Sequence, residues 1–261
     1  MTTDVRTGLL PILRIPRGTV TPYVLTVGDP DRAANVADRL DDAHEVGRYR
    51  EYRSFQGSWE GLPLTITSHG VGGAGAAVAF EELIQGGART IVRLGTAGSA
   101  LPDIKSGDLL IATGAVREDG LSAQLLPLSY PAISDLAVSQ ALIDAARARP
   151  AVRFGVGVIL TKAAFYPGVL DAPNGVWERV PIVGVEMELA SLLTVAALRG
   201  ARAGGIFTVD GNPADDEASI YDYNPHRPVV DEGKERMIEI GLDAVSRLAT
   251  ADREHDRGSE S

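Results

Sequence analysis

The chain contains no cysteine. That absence removes disulfides, thiolate catalysis and zinc–sulfur sites together. Histidine is scarce as well. The four present, His44, His69, His226 and His255, show no H-x-x-x-H or H-E-x-x-H spacing, so no metal site is expected. No apolar run approaches the 18 or so residues of a membrane span. The short run Leu9–Leu13 is broken by Pro11 and followed by Arg14 and Arg17, too little for a secretion signal. The chain therefore reads as soluble and cytoplasmic. Basic charge is also in deficit: 25 Lys and Arg against 35 Asp and Glu give a net charge of −10, with a pI near 4.9. Proteins that bind nucleic acid usually carry a basic face. No nucleic-acid or membrane partner is expected, although a few arginines gathered around one small anion remain compatible with this balance.

What is present is ordinary globular material. Apolar residues make up 44% of the 261 and charged residues 23%, enough for a full hydrophobic core. Strand and helix signals alternate. Tyr23–Val27 reads as a strand, Arg32–Leu40 as a helix, and Arg48–Trp59 as an extended stretch turning at Glu60-Gly61 into a strand over Leu62–Thr67. Ala76–Gln85 is an amphipathic helix stopped by Gly86-Gly87. Strands follow at Thr90–Leu94, Leu109–Thr113, Gly155–Leu160 and Ala203–Val209. Helices follow at Ser134–Ala148, Leu189–Leu198 and Val230–Leu248. This alternation predicts an α/β fold, a mixed central sheet with helices on both faces. No linker or internal repeat divides the chain, so residues 1–261 are expected to form a single domain, with a frayed polar tail over 250–261.

Glycine is enriched after the strands, where open α/β sheets bind ligands. Five segments there carry possible chemistry. Gly70-Val71-Gly72-Gly73-Ala74-Gly75 fits G-x-G-x-x-G, but no acid follows at the dinucleotide-binding distance, and close packing is the better reason for its glycines. Gly28-Asp29-Pro30-Asp31-Arg32 marks a strand-to-helix turn that either holds an anion or is a capped turn with a solvated arginine. Arg93 lies in an apolar strand ahead of Gly95-Thr96. A buried arginine needs a partner, either an anion or an internal carboxylate such as Glu81 or Glu82. Glu186 and Glu188 flank Met187 at a helix entrance. They suit vicinal hydroxyls, or simply complement the helix dipole. Asp210 ends a buried strand, in a catalytic position or as a turn residue.

Together these segments resemble one family, the hexamer-forming nucleoside phosphorylases, which include bacterial uridine phosphorylases and many purine nucleoside phosphorylases. GDPDR, REY, HGVGGAG, FEEL, RLGTAGS, FYPG and VEMELA stand in the family's order between about Pro22 and Leu248. The resemblance implies that Gly28, Arg32, Arg93 and Thr96 hold inorganic phosphate as co-substrate, with Arg50 supplied by a neighbouring subunit. It implies that Glu188 and Met187 hold the ribose hydroxyls and that Phe165 and Glu186 line the nucleoside site. It also implies a homo-oligomer, a hexamer built as a trimer of dimers, with no cofactor and no metal.

The base is addressed at two places. Where uridine phosphorylases carry the Gln and Arg that read uracil, this chain has Val169 and Asp171. Val209-Asp210-Gly211-Asn212-Pro213 matches the V-D-G-x-P of one purine branch, which implies that Asp210 is the general acid at N7 of a departing purine. That role requires the carboxyl to hold or share a proton, which burial promotes. Ile12 stands where relatives place a histidine near the 5′-hydroxyl, so 5′-deoxy or 5′-alkylthio sugars are expected to be tolerated. The expected function is purine nucleoside phosphorylase. The alternatives are a pyrimidine nucleoside phosphorylase, a nucleosidase using water, and a non-catalytic relative.

Overall fold

A computed structural model describes residues 8–166, 168, 177, 179–211 and 223–259. The elements in chain order are β1 (Tyr23–Val27), α1 (Pro30–Ala37), β2 (Asp41–Tyr49), β3 (Tyr52–Trp59), β4 (Leu62–Ser68) and α2 (Gly73–Gly86). Next come β5 (Thr90–Ser99), β6 (Leu109–Glu118), α3 (Ser122–Leu125), β7 (Ala132–Ile133), α4 (Leu136–Arg147) and β8 (Phe154–Lys162). Then follow β9 (Ile182–Glu186), α5 (Leu189–Arg199), β10 (Arg202–Gly211) and α6 (Pro228–Ser259).

The sheet is mixed and partly closed. β2, β3, β4, β1 and β5 lie side by side in that order, and β5 then pairs with both β10 and β9. Because β10 continues through β6 and β8 to β9, these four strands return to β5. β4, β1, β5 and β10 run parallel, so their carboxyl ends open on one side. Two apolar layers flank the sheet. Phe80 and Leu83 of α2 pack with Leu192 and Val195 of α5 in one. Val36 of α1, Leu142 of α4 and Ile238 and Val245 of α6 fill the other. Among the described residues no helix is long and apolar enough to cross a membrane.

Local chemistry explains where several elements begin. Asp29 caps α1 by accepting the Asp31 N–H at 2.9 Å, and Pro30 occupies the first turn, so the helix starts earlier than the sequence suggests. Asp135 caps α4 through the Val138 N–H at 3.0 Å. At Gly73 a side chain would stand 2.3 Å from Ser191 Oγ. Close contact of α2 with α5 is therefore what the G-x-G-x-x-G run permits, in line with the packing reading.

Three segments differ from expectation. The extended stretch over Arg48–Trp59 is two strands, broken by a turn in which Arg50 takes φ +53°. β5 runs on through Gly95 to Ser99, because its glycines still pair with β10. The polar tail, expected to fray over 250–261, continues α6 as far as Ser259. Asp252 anchors it, receiving the Arg202 guanidinium (Nη1 at 2.9 Å) and the Tyr23 hydroxyl at 2.5 Å.

Candidate active site

The parallel strands deliver their terminal residues to one place. After β1, the Gly28 carbonyl accepts the Gly70 N–H at 2.9 Å, and Val27 O accepts the His69 N–H at 2.9 Å, which binds the turn after β1 to the turn after β4. Arg93 lies on β5 between Thr26 of β1 and Gly205 of β10. Its guanidinium runs along its own strand. A Cβ on Gly95 would meet Arg93 Nη1 at 2.5 Å, and the guanidinium carbon sits 5.3 Å from the Phe207 ring centroid. Gly95 is thus the space in which the arginine lies.

Arg93 is 4% exposed. Its Nη2 is shared by Glu188, in close contact, and Glu186 at 3.3 Å. The internal partners are therefore these two acids. Glu81 instead pairs with Arg199 at 2.8 Å, and Glu82 accepts the backbone N–H groups of Ile12 and Leu13. Arg93 Nε and Nη1 are buried and meet no hydrogen-bond partner among the described residues. Each unmade bond of this kind costs roughly 1–3 kcal/mol, and more on a charged group. Two of them on one side of a cation make a site for an anion.

The two glutamates do different work. Glu186 accepts the Thr161 hydroxyl at 2.5 Å and the N–H groups of Glu188 and Leu189 at 2.8 and 2.9 Å, so it holds the start of α5 and one corner of Arg93. Burial, reinforced by the charge of Glu188, pushes its carboxyl up against the pull of Arg93. Glu188 takes the Gly72 N–H at 2.5 Å as well as Arg93. Met187 between them is partly exposed.

Arg32, partly buried in α1, faces the same region. Burial lowers its guanidinium below the ordinary value; Asp29 and Asp210 oppose this, and the Arg93 charge adds to it. Asp210, at the end of β10, is 5% exposed and receives the Tyr223 hydroxyl on Oδ2 at 2.5 Å. Tyr223 packs edge-to-face on Phe165, with centroids 5.3 Å apart. Gly28, Arg32, Arg93, Glu188 and Asp210 thus border one region, with Phe165 linked to it through Tyr223. Thr96 is partly exposed and in register with Thr208, and among the described residues no hydrogen bond joins it to Arg93. Arg50 stands apart on the exposed β2–β3 turn, its guanidinium 5.3 Å from the Tyr49 ring centroid. Val169, Asp171, Asn212 and Pro213 lie outside the described residues. Among the described residues no three His, Asp or Glu side chains are grouped as a metal ion requires.

Two residues enter the site without being singled out by sequence. Tyr223 belongs to a stretch with no periodic signal. His69 sits in the His-Gly-Val-Gly run; it is fully buried, with Nδ1 2.8 Å from Gly70 O.

The phosphorylase superfamily model matches residues 22–246, a span that contains every strand just described. The chain belongs to the phosphorylase superfamily. It is a nucleoside phosphorylase by kinship, an enzyme of the pentosyltransferase class, and its relatives carry both purine and uridine names. It is 38% identical over 247 residues to a purine nucleoside phosphorylase of Plasmodium falciparum, covering 93% of this chain and 98% of the relative. It is 35% identical over 255 residues to a uridine phosphorylase of Thermococcus kodakarensis, covering 93% and 88%. Among solved structures it is similar to a purine nucleoside phosphorylase from Toxoplasma gondii, with a TM-score of 0.86 and 34% identity over 95% of this chain and 98% of that one. The phosphorylase fold accounts for the mixed sheet in a single domain.

Proposed function

We propose that this phosphorylase cleaves purine nucleosides, transferring the pentose to inorganic phosphate with no further cofactor. The observation that carries the reading is the pairing of an unsatisfied arginine edge, Arg93 Nε and Nη1, with a buried carboxylate, Asp210, on the adjoining strand end. Phosphate lies against Arg93 and Arg32 beside Gly28 and Thr96, where its oxygens replace the bonds the guanidinium lacks. Glu188, with Met187 beside it, takes the ribose hydroxyls. Glu186, whose acceptors are engaged by Thr161 and α5, contributes to this site by holding Arg93.

In the reaction a phosphate oxygen bonds to C1′ as the C1′–N9 bond breaks. The bonding pair passes into the purine ring, and N7 takes a proton from Asp210. The arginines fix the nucleophile and balance its charge. The Phe165 ring borders the base. Uridine offers no N7, so an acid at Asp210 favours purines.

Arg50 completes the site of a neighbouring subunit, in a hexamer formed as a trimer of dimers, in the cytoplasm. Leu13 O lies 2.4 Å from where a Cβ on Gly47 would be, so the segment with Ile12 rides on the same hairpin as Arg50. Ile12 then meets the sugar's 5′ end, which admits 5′-deoxy and 5′-alkylthio ribosides.

Steady-state rates on inosine and uridine test the base assignment. Inosine is expected to be the better substrate, with Asp210→Ala lowering its kcat by roughly 10²–10⁴. Preference for uridine, or an Asp210→Ala variant with undiminished inosine turnover, overturns it.

A further inference from the structure

We propose that Tyr223 occupies the base site of the unliganded enzyme as an internal stand-in for the base, and that a nucleoside binds by exchanging its own ring for this one. The proposal rests on the reading of Asp210 as the group that meets the base.

A purine leaving this site presents a flat ring beside Phe165 and, once N7 has taken its proton, an N7–H donor that reaches the buried carboxylate. Tyr223 supplies both. Its hydroxyl donates to Asp210 Oδ2 at 2.5 Å, and its ring meets Phe165 edge-to-face at 5.3 Å and 66°. Tyr223 and Phe165 are 38% and 39% exposed, so the pair lies at a mouth and not in either core layer. A base whose N7 comes within hydrogen-bond reach of the same oxygen competes with the phenol for that position.

Arg227 Nη2 donates to the Asp210 carbonyl at 2.9 Å and to Ser106 Oγ at 2.7 Å, tying the approach to α6 onto the end of β10. The exchange asks only the tyrosine side chain to move. Burial and the charge of Asp210 push the phenol well above its ordinary value, so it remains a donor at neutral pH.

Tyr223→Phe removes the competing donor and keeps the ring. A net hydrogen bond of ordinary size corresponds to roughly three- to tenfold in affinity. Calorimetric titration of Tyr223→Phe with hypoxanthine is expected to give a Kd lower by about that factor. The KM for inosine should fall in step, so that kcat/KM rises. An unchanged or higher Kd, or a fall in kcat/KM, overturns the proposal, because a tyrosine that stays on Asp210 through turnover gives those results. Asp210→Ala is measured in parallel. If it is inactive while Tyr223→Phe binds hypoxanthine no more tightly, only the exchange fails. If it keeps full inosine activity, the reading of Asp210 fails. Should Tyr223→Phe not fold, Tyr223→Leu is titrated in the same way, with tighter hypoxanthine binding again expected.

Discussion

Arg93 and Glu188 form a buried pair that engages one corner of the guanidinium and leaves another side open. Nη2 is held by Glu188 and Glu186, whereas Nε and Nη1 have no hydrogen-bond partner among the described residues. The acids orient the arginine, and the unmade bonds mark where an anion belongs. An amine cannot reproduce this division, since a lysine supplies one point of charge and no fork. Arg93→Lys is expected to lose roughly 10²–10³ in kcat, the range for removing one aimed donor from a transition state. The KM for phosphate should rise with it. Glu188→Gln should instead raise the KM for nucleoside more than that for phosphate. Initial rates over a grid of both substrates separate the two, and equal effects on both KM values would contradict the assignment.

His69 predicts an acid-side loss of stability. Burial, with the Arg93 and Arg32 charges adding to it, lowers its imidazole well below 6.5. Below pH 6.5 the unfolded chain takes up a proton that the folded one refuses, so stability falls as pH falls, until the folded imidazole itself titrates. The slope from this group is about 1.4 kcal/mol per pH unit. His69→Gln should be less stable than the parent at pH 7, with a difference that narrows towards pH 5. Urea midpoints at several pH values measure it, and parallel curves for the two proteins would rule it out.

Much of this fold was legible because its signals are local. Tyr23–Val27 is the strand its β-branched run suggests, and α2 stops where Gly86-Gly87 stand. β2 was missed because Asp41–Tyr49 is polar and largely exposed, so it lacks the alternation that reveals a half-buried strand. β9 was missed because five residues carry too little pattern. In the site, the arginines and acids announced themselves by charge in apolar surroundings. What sequence could not supply was pairing: that Arg93 meets Glu186 and Glu188 across 93 and 95 positions depends on how β9 and the start of α5 lie against β5, and that Tyr223 meets Asp210 depends on where Tyr223 returns to the end of β10.

The proposed sharing of Arg50 between subunits predicts complementation between inactive variants. Arg50→Ala keeps Asp210 but deprives its neighbour of the arginine, and Asp210→Ala does the reverse. Subunits of the two, dissociated and reassembled together, should rebuild one whole site in each mixed pair. Random pairing then restores about a quarter of the parent activity. Each variant reassembled alone should stay inactive. A mixture no more active than its parts would place Arg50 outside the neighbour's site.

The most direct measurement is hypoxanthine release from inosine as phosphate is titrated from zero, with the sugar product identified. The account predicts release that saturates with phosphate, is negligible without it, and yields ribose 1-phosphate in equal amount to the base. Release that ignores phosphate and yields free ribose would mean that water is the nucleophile and that the open edge of Arg93 serves another purpose.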